Sequence, residues 1–286
     1  MPGSSGNRFE LQPTTGEDGG GEIEAAMDMP LPLDLPPAPA SLAPADFAFF
    51  FDFDGTLAGI VDDPAAARID PPVRDALRLL LEVSGGAVAL VSGRSIGQLD
   101  KMMDPLRLPA AGVHGLERRG AEGRLMRAEI DEAALSRLHA DVAAFAGRHQ
   151  GLLAEFKPGS AALHYRKRPE LQAQSEAFAT EMAAADPAIR VVTGKMVVEL
   201  KMGARTKADA IAEFMDEPPF RGRRPLFAGD DVTDEDGFAA VGARDGIAIK
   251  IGMSPTRATH RFGDMSAFHD WLLRMADAAS ARDASR

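Results

Sequence analysis

The chain has 286 residues, enough to build one or two domains around a sizeable core, and it contains no cysteine, which excludes disulfides and thiolate metal sites. Its formal net charge of −11 argues against nucleic acid, whose phosphates call for a basic footprint. No run of about eighteen apolar residues is present and prolines interrupt Met27 to Leu35, so we expect no signal peptide, no membrane partner and a cytoplasmic protein.

Residues 1–45 hold eight prolines, six glycines and a net charge of −6, with neither helical nor strand periodicity; they read as a disordered or irregular arm. Phe47-Ala48-Phe49-Phe50-Phe51 is then an unbroken apolar run of strand length, the pattern of a strand buried on both faces. It ends in Asp52-Phe53-Asp54-Gly55-Thr56. Two carboxylates two residues apart repel unless a cation sits between them or one carries a proton. An ordinary Asx-rich turn is the alternative. A calcium-binding loop is excluded, because no glutamate follows at the required spacing.

After a loop containing Asp62, Asp63 and Pro64, Asp70-Pro71-Pro72 signals a helix start, and Val73, Ala76, Leu77, Leu80 and Leu81 form its buried stripe. Gly85-Gly86 ends that helix. Ala87 to Val91 is a second apolar strand, ending in Ser92-Gly93-Arg94, and Ser95 with Gln98 predicts a capping box on a short helix. A third strand near Ala110 to Val113 ends in His114-Gly115. Strand and helix alternating in this way, with polar residues at the strand ends, describe a doubly wound parallel sheet.

Residues 118–202 change character. Helices near Asp131 to Arg148 and Pro169 to Ala185 separate strands that are half polar. From Lys195 to Met202 the residues alternate, with Lys195, Val197, Glu199 and Lys201 on one face. Leu153 to Arg166 places Glu155 and Lys157 on one face, and Ala162, His164 and Arg166 on one face. This predicts a second, inserted α/β domain whose small sheet carries helices on one side and an ionic face on the other.

From Ala204 the first style returns: a helix framed by Thr206 and Asp209, a strand over Pro225 to Ala228 ending in Gly229-Asp230-Asp231-Val232-Thr233-Asp234-Glu235, and a strand over Gly246 to Ile251. A closing helix carries Phe268, Trp271, Leu272 and Met275, with Trp271 read as core. The expected division is therefore an arm over 1–45, a core over 46–117 and 203–278, an insert over 118–202 and a frayed tail over 279–286.

Parallel strands deliver their carboxyl ends to one edge, so Asp52/Asp54, Ser92, Lys207 and Asp230/Asp231 can meet in one crevice. Phosphoryl transfer needs such a set: a carboxylate nucleophile, cations and donors for the phosphoryl oxygens, and an acid for the leaving group. Hard oxygen ligands in this number suit Mg²⁺. Taken singly, Lys207 reads as a surface lysine, Ser92 as a helix cap and the Asp230 segment as an acidic loop; only together do they point to chemistry.

Phe-Asp-Phe-Asp-Gly-Thr-Leu (51–57), Val-Ser-Gly-Arg (91–94), Gly-Val-His-Gly (112–115), Ala-Leu-His-Tyr-Arg (162–166), Gly-Lys-x-Val-Val-Glu-Leu-Lys (194–201) and Gly-Asp-Asp-x-Thr-Asp-Glu (229–235) resemble the motifs of the haloacid dehalogenase superfamily of phosphohydrolases, and within it those of the trehalose-6-phosphate phosphatases. The resemblance spans about residues 46–277. It implies an α/β haloacid dehalogenase-like core with an inserted cap, and Mg²⁺ held by Asp52, the Asp54 carbonyl and Asp230, with Asp231 and Asp234 nearby. It also implies that Asp52 attacks phosphorus, that Asp54 acts as acid and then base, and that Ser92 and Lys207 hold the phosphoryl oxygens. The substrate implied is a small molecule, trehalose 6-phosphate, met by Arg94, His114, Glu155, Lys157, His164, Arg166, Lys195 and Glu199. Some relatives carry asparagine where Val197 stands. Competing expectations are a phosphatase of another sugar phosphate, sucrose- or glycerate-linked, and, from other classes, a phosphoacceptor receiver module or a silent sensor.

Overall fold

The computed structural model describes residues 34–61 and 64–283; the remainder of the expected arm, Asp62, Asp63 and residues 284–286 lie outside the described residues. The Phe-rich run is strand β1 (Phe47–Phe51), buried at every position. It is followed by α1 (Pro71–Val83), β2 (Val88–Val91), α2 (Ile96–Met103) and β3 (Ala110–Gly112), then by two short strands, β4 (Glu117–Arg119) and β5 (Leu125–Arg127). Next come α3 (Glu132–Arg148), the hairpin β6 (Leu153–Lys157) and β7 (Ser160–His164), α4 (Gln172–Ala185), and the hairpin β8 (Ile189–Gly194) and β9 (Val197–Met202). The chain closes through α5 (Lys207–Met215), β10 (Arg224–Gly229), α6 (Glu235–Gly242), β11 (Ile247–Ile251), β12 (His260–Phe262) and α7 (Met265–Asp283).

Eight strands form one sheet in the order β12-β11-β10-β1-β2-β3-β4-β5. The first six run parallel, and β4 and β5 add antiparallel to its edge. Alternation along β1 divides the core. Phe47, Phe49 and Phe51 join the cluster beneath α1, α2 and α7, where Trp271 is buried as expected. Ala48 and Phe50 join Ile211, Phe214 and Phe238 beneath α5 and α6. Covering both faces in this way is what makes β1 apolar throughout.

The other four strands form a separate antiparallel sheet, β6-β7-β9-β8, between β5 and α5 in the sequence. Ala161, Leu163, Val198 and Leu200 pack on one side against Leu135, Leu138 and Val142 of α3 and Ala179 of α4. On the other side Glu155, Ala162, Glu199 and Val192 stand in register across all four strands.

Three boundaries differ from the sequence reading. The first sheet runs past residue 118 to Arg127, because β4 buries its charges in pairs: Arg118 with Glu213 and Glu217, and Arg119 with Asp100. The alternation from Lys195 is strand only from Val197, since Lys195 and Met196 make the β8–β9 turn and Met196 has φ 63°. Helix α7 continues to Asp283 through residues expected to fray, with Ala276 and Ala279 buried. The described end of the expected arm is irregular yet attached. Ala38 and Leu42 are buried, Pro39 O accepts from the Trp271 indole at 2.9 Å, and Pro36 O accepts from the Arg261 amide at 2.9 Å. No helix among the described residues is long and apolar enough to cross a membrane.

Candidate active site

The carboxyl ends of β1, β2, β3 and β10 deliver Asp52, Ser92, His114 and Asp230 to one cleft, which Glu155, Lys157, His164, Arg166, Lys195 and Glu199 line from the second sheet. Asp52 continues β1, its amide donating to Ala228 O of β10 at 2.9 Å. Lys207 opens α5 behind the capping box of Thr206 and Asp209. Its ammonium is buried and donates to Asp52 Oδ1 at 2.8 Å and to Asp234 Oδ1 at 2.7 Å.

Asp52, Asp230 and Asp234 each offer a carboxylate oxygen, and the three atoms lie within 4.8 Å of one another. Burial pushes the Asp52 carboxyl well above the usual carboxylate range; Lys207 pulls it back, and Asp234 and Asp230 push it further up. Asp230 is likewise raised by burial, against the pull of Lys195. Burial alone would lower Lys207, but its two aspartates outweigh that and keep it charged. Asp230 Oδ1 is buried without a hydrogen-bond partner. Three crowded carboxylates, one of them with an orphaned oxygen, are a donor set that fits a small hard cation.

Glycine makes this crowding possible. Gly55 has φ 83°, and a Cβ there would stand 2.3 Å from Asp230 Oδ2. A Cβ on Gly229 would stand 2.3 Å from Asp234 Cγ. Neither position has room for alanine.

The expected residues converge on the cleft. The Asp54 carboxylate is outside the trio: Arg94 grips it through Nε and Nη2, both at 2.6 Å, and Arg94 Nη1 donates to Pro64 O at 2.8 Å. Asp234, expected as a nearby supporting carboxylate, stands in the trio itself. The signal for it is spacing, since Asp231 and Asp234 form a capping box on the turn after β10, which returns the second carboxylate toward Asp52. Ser92 Oγ accepts from the Arg94 amide at 3.2 Å. Sequence reasoning passed over Ile60, Val61 and Val192, which line the cleft and carry no polar signal.

The second sheet supplies linked charges. Glu199 accepts from Lys157 at 2.9 Å and from Ser160 at 2.6 Å, and His114 Nε2 stands 3.6 Å from it. Burial lowers the pKa of His114, so that contact is with a neutral ring. Val113 and His114 both have positive φ, at 48° and 52°, strain that turns the imidazole to the cleft. Lys195 crosses from the β8–β9 turn to Asp230 Oδ2 at 2.6 Å, and Arg166 donates to Lys195 O at 3.2 Å.

Glu155 contacts His164 Nε2 and Gln98 Nε2, each at 2.8 Å, so the helix cap of α2 also touches the second sheet. Burial would raise the Glu155 pKa; His164, Lys157 and Gln98 outweigh it and hold it at about 2. A depressed carboxylate adds stability that is fully present above its unfolded pKa near 4.5 and is lost as pH falls through the folded value. Glu155→Gln is therefore expected to be less stable near neutral pH by about 2–3 kcal/mol. In urea titrations at stepped pH the gap should close between pH 4.5 and 2; a gap constant over that range would mean that the low pKa does not support the fold.

A sequence profile described as trehalose-phosphatase matches residues 50–266. The trehalose-6-phosphate phosphatase of Escherichia coli is 39% identical over 222 residues, 78% of this chain and 84% of that protein. The chain belongs to the trehalose-phosphatase family. A probable trehalose-phosphate phosphatase of Sinorhizobium fredii is 38% identical over 75% of this chain and 80% of that protein. The solved C-terminal domain of trehalose-6-phosphate phosphatase from C. albicans superposes with a TM-score of 0.74 at 22% identity, covering 82% of this chain and 92% of that one, which supports the fold. Like other trehalose-phosphatases, the chain is a phosphoric monoester hydrolase built on a haloacid dehalogenase-like α/β core.

Proposed function

We propose that this trehalose-phosphatase hydrolyses trehalose 6-phosphate to trehalose and phosphate in the presence of Mg²⁺, with Asp52 as nucleophile and residues of the second sheet, acting as a cap, holding the sugar. The observation that carries this reading is that one cleft joins the Asp52–Lys207–Asp234 cluster to the ionic face formed by Glu155, Lys157 and Glu199.

Asp52, the Asp54 carbonyl and Asp230 would hold Mg²⁺, with Asp234 beside them, and the ion would offset the charge that accumulates on the phosphoryl oxygens. The chain's own groups carry the steps. A carboxylate oxygen of Asp52 attacks phosphorus while the bond to the sugar oxygen breaks, leaving an aspartyl-phosphate. Asp54, freed from the Arg94 fork that both its oxygens accept from and carrying a proton, gives that proton to the departing sugar oxygen and then takes one from the water that attacks the aspartyl-phosphate, releasing phosphate and regenerating Asp52. Ser92 Oγ and Lys207 Nζ receive the non-bridging oxygens. Carboxylates accept from sugar hydroxyls and long cations donate to them, so Glu155, Glu199, Lys157, Lys195 and Arg166 suit a glycoside, and His114, neutral by burial, adds a ring nitrogen.

A second reading, a phosphatase of another sugar phosphate, is favoured by Val197, which lines the cleft near Val192 with an apolar side chain where some relatives have an amide. Phosphate release from trehalose 6-phosphate, sucrose 6-phosphate and glucose 6-phosphate, each with Mg²⁺ and with EDTA, separates the two. Metal-dependent preference for trehalose 6-phosphate is the expected result. Faster turnover of another sugar phosphate would transfer the assignment to it, and unchanged rates in EDTA would remove the cation.

A further inference from the structure

Lys250 lies on β11 beside Gly229 of β10 and is 1% exposed, between Ile249 and Ile251. It does not line the cleft. Its ammonium donates to Asp230 O at 2.8 Å and has Asp231 O at 3.4 Å as a longer second acceptor. A third side faces Glu235 Oε1 at 3.7 Å, and the Phe238 ring centroid lies 6.0 Å away. Glu235 is fixed in turn, its Oε2 accepting from the Arg257 amide at 2.7 Å, while its Oε1 has no hydrogen-bond partner.

Burying an ammonium in a sheet core is costly, and a strand of isoleucines would pack there without one. What the charge gains is purchase on two successive main-chain carbonyls of the segment that carries the cleft carboxylates. Both carbonyls are drawn toward β11, which leaves the Asp230 side chain on the cleft side with its orphaned Oδ1.

We propose that Lys250 is a positioning residue for the cation site: it fixes the Asp230–Asp231 main chain from behind, so that the Asp230 carboxylate is set for metal before metal arrives. Glu235 keeps the ammonium in place. The inference rests on the Mg²⁺ site proposed above. Partners that orient a metal ligand without touching the metal typically change metal affinity about 10- to 100-fold when removed.

The test is Mg²⁺ binding by calorimetry on the full chain, in the absence of substrate. Lys250→Met, of similar length and without charge or donor, should weaken binding at least about tenfold while the far-ultraviolet circular dichroism is kept. Ile247→Ala, equally buried on the same strand, should lower the melting temperature and leave Mg²⁺ affinity within about twofold of the parent, because its loss is one of packing alone. A folded Lys250→Met with parental affinity, or an Ile247→Ala that weakens binding as much, would overturn the proposal. Should Lys250→Met not fold, Glu235→Gln decides: a loss of about two- to fivefold supports the positioning role and unchanged affinity overturns it. A parent protein that binds no Mg²⁺ would remove the cation site itself and this inference with it, an outcome distinct from failure of the Lys250 variants alone.

Discussion

Asp52→Asn is expected to lower phosphate release from trehalose 6-phosphate by at least about four orders of magnitude, because an amide cannot supply the attacking oxygen. The same change should not unfold the protein. Burial raises the Asp52 pKa, so this carboxyl lowers the stability of the folded state as pH climbs from its unfolded pKa to the raised folded one, and the penalty is constant above that. Asparagine removes the charge from the trio and leaves Lys207 paired with Asp234. A melting temperature equal to or above the parent's is the expected companion result. A variant that keeps a tenth of parental activity would remove Asp52 as nucleophile; one that is inactive and also melts far below the parent would reassign the loss to the fold.

Lys207→Met should have the opposite profile in stability. The lysine is the shared cation of Asp52 and Asp234, and both ion pairs are buried. Removing it leaves three crowded carboxylates without that charge, and breaking a buried pair in this way costs about 3–5 kcal/mol. For a protein of this size that corresponds to a fall in melting temperature of about 6–20 °C. Catalysis should fall by about 10²–10³-fold, the usual loss when one donor to the reacting oxygens is removed. Mg²⁺ should recover more stability in Lys207→Met than in the parent, since the carboxylates no longer share a competing ammonium and a cation that binds only the folded state stabilises it by an amount that grows with the logarithm of its affinity. A melting temperature within about 2 °C of the parent, measured without metal, would show that the buried pairs carry no structural weight.

Much of this site could be read from the sequence because its residues sit where apolar runs stop. The Phe47–Phe51 run fixed β1 and therefore the edge on which Asp52 lies, and the same logic gave Ser92 and Asp230. Lys207 could be placed because Thr206 and Asp209 announce a helix start. What escaped the sequence was polar residues buried in pairs, since pairing is a property of the folded state. Arg118 and Arg119 carry no core signal in the sequence and belong to a buried strand, because Glu213, Glu217 and Asp100 meet them from distant segments. Lys250 interrupts an isoleucine strand and gave no hint that two carbonyls near the cleft wait for it. β8, with five of its six residues only partly shielded or exposed, lacks the periodicity that marks its partner β9.

The centre of the large sheet also bears on how the chain is made. β1 is buried on both faces and flanked by β2 and β10, and Phe47 faces Arg224 across the ladder. During synthesis β2 follows within a few dozen residues, but one hydrogen-bonding edge of the Phe-rich strand stays open until β10 leaves the ribosome. At about 5–20 residues per second that interval lasts about 10–35 s. The second sheet, whose strands are neighbours in sequence, can fold on its own contacts meanwhile. Ribosome-bound intermediates halted between β9 and β10 should therefore be the stage at which a chaperone is most needed, with the unpaired edge of β1 as the surface it shields.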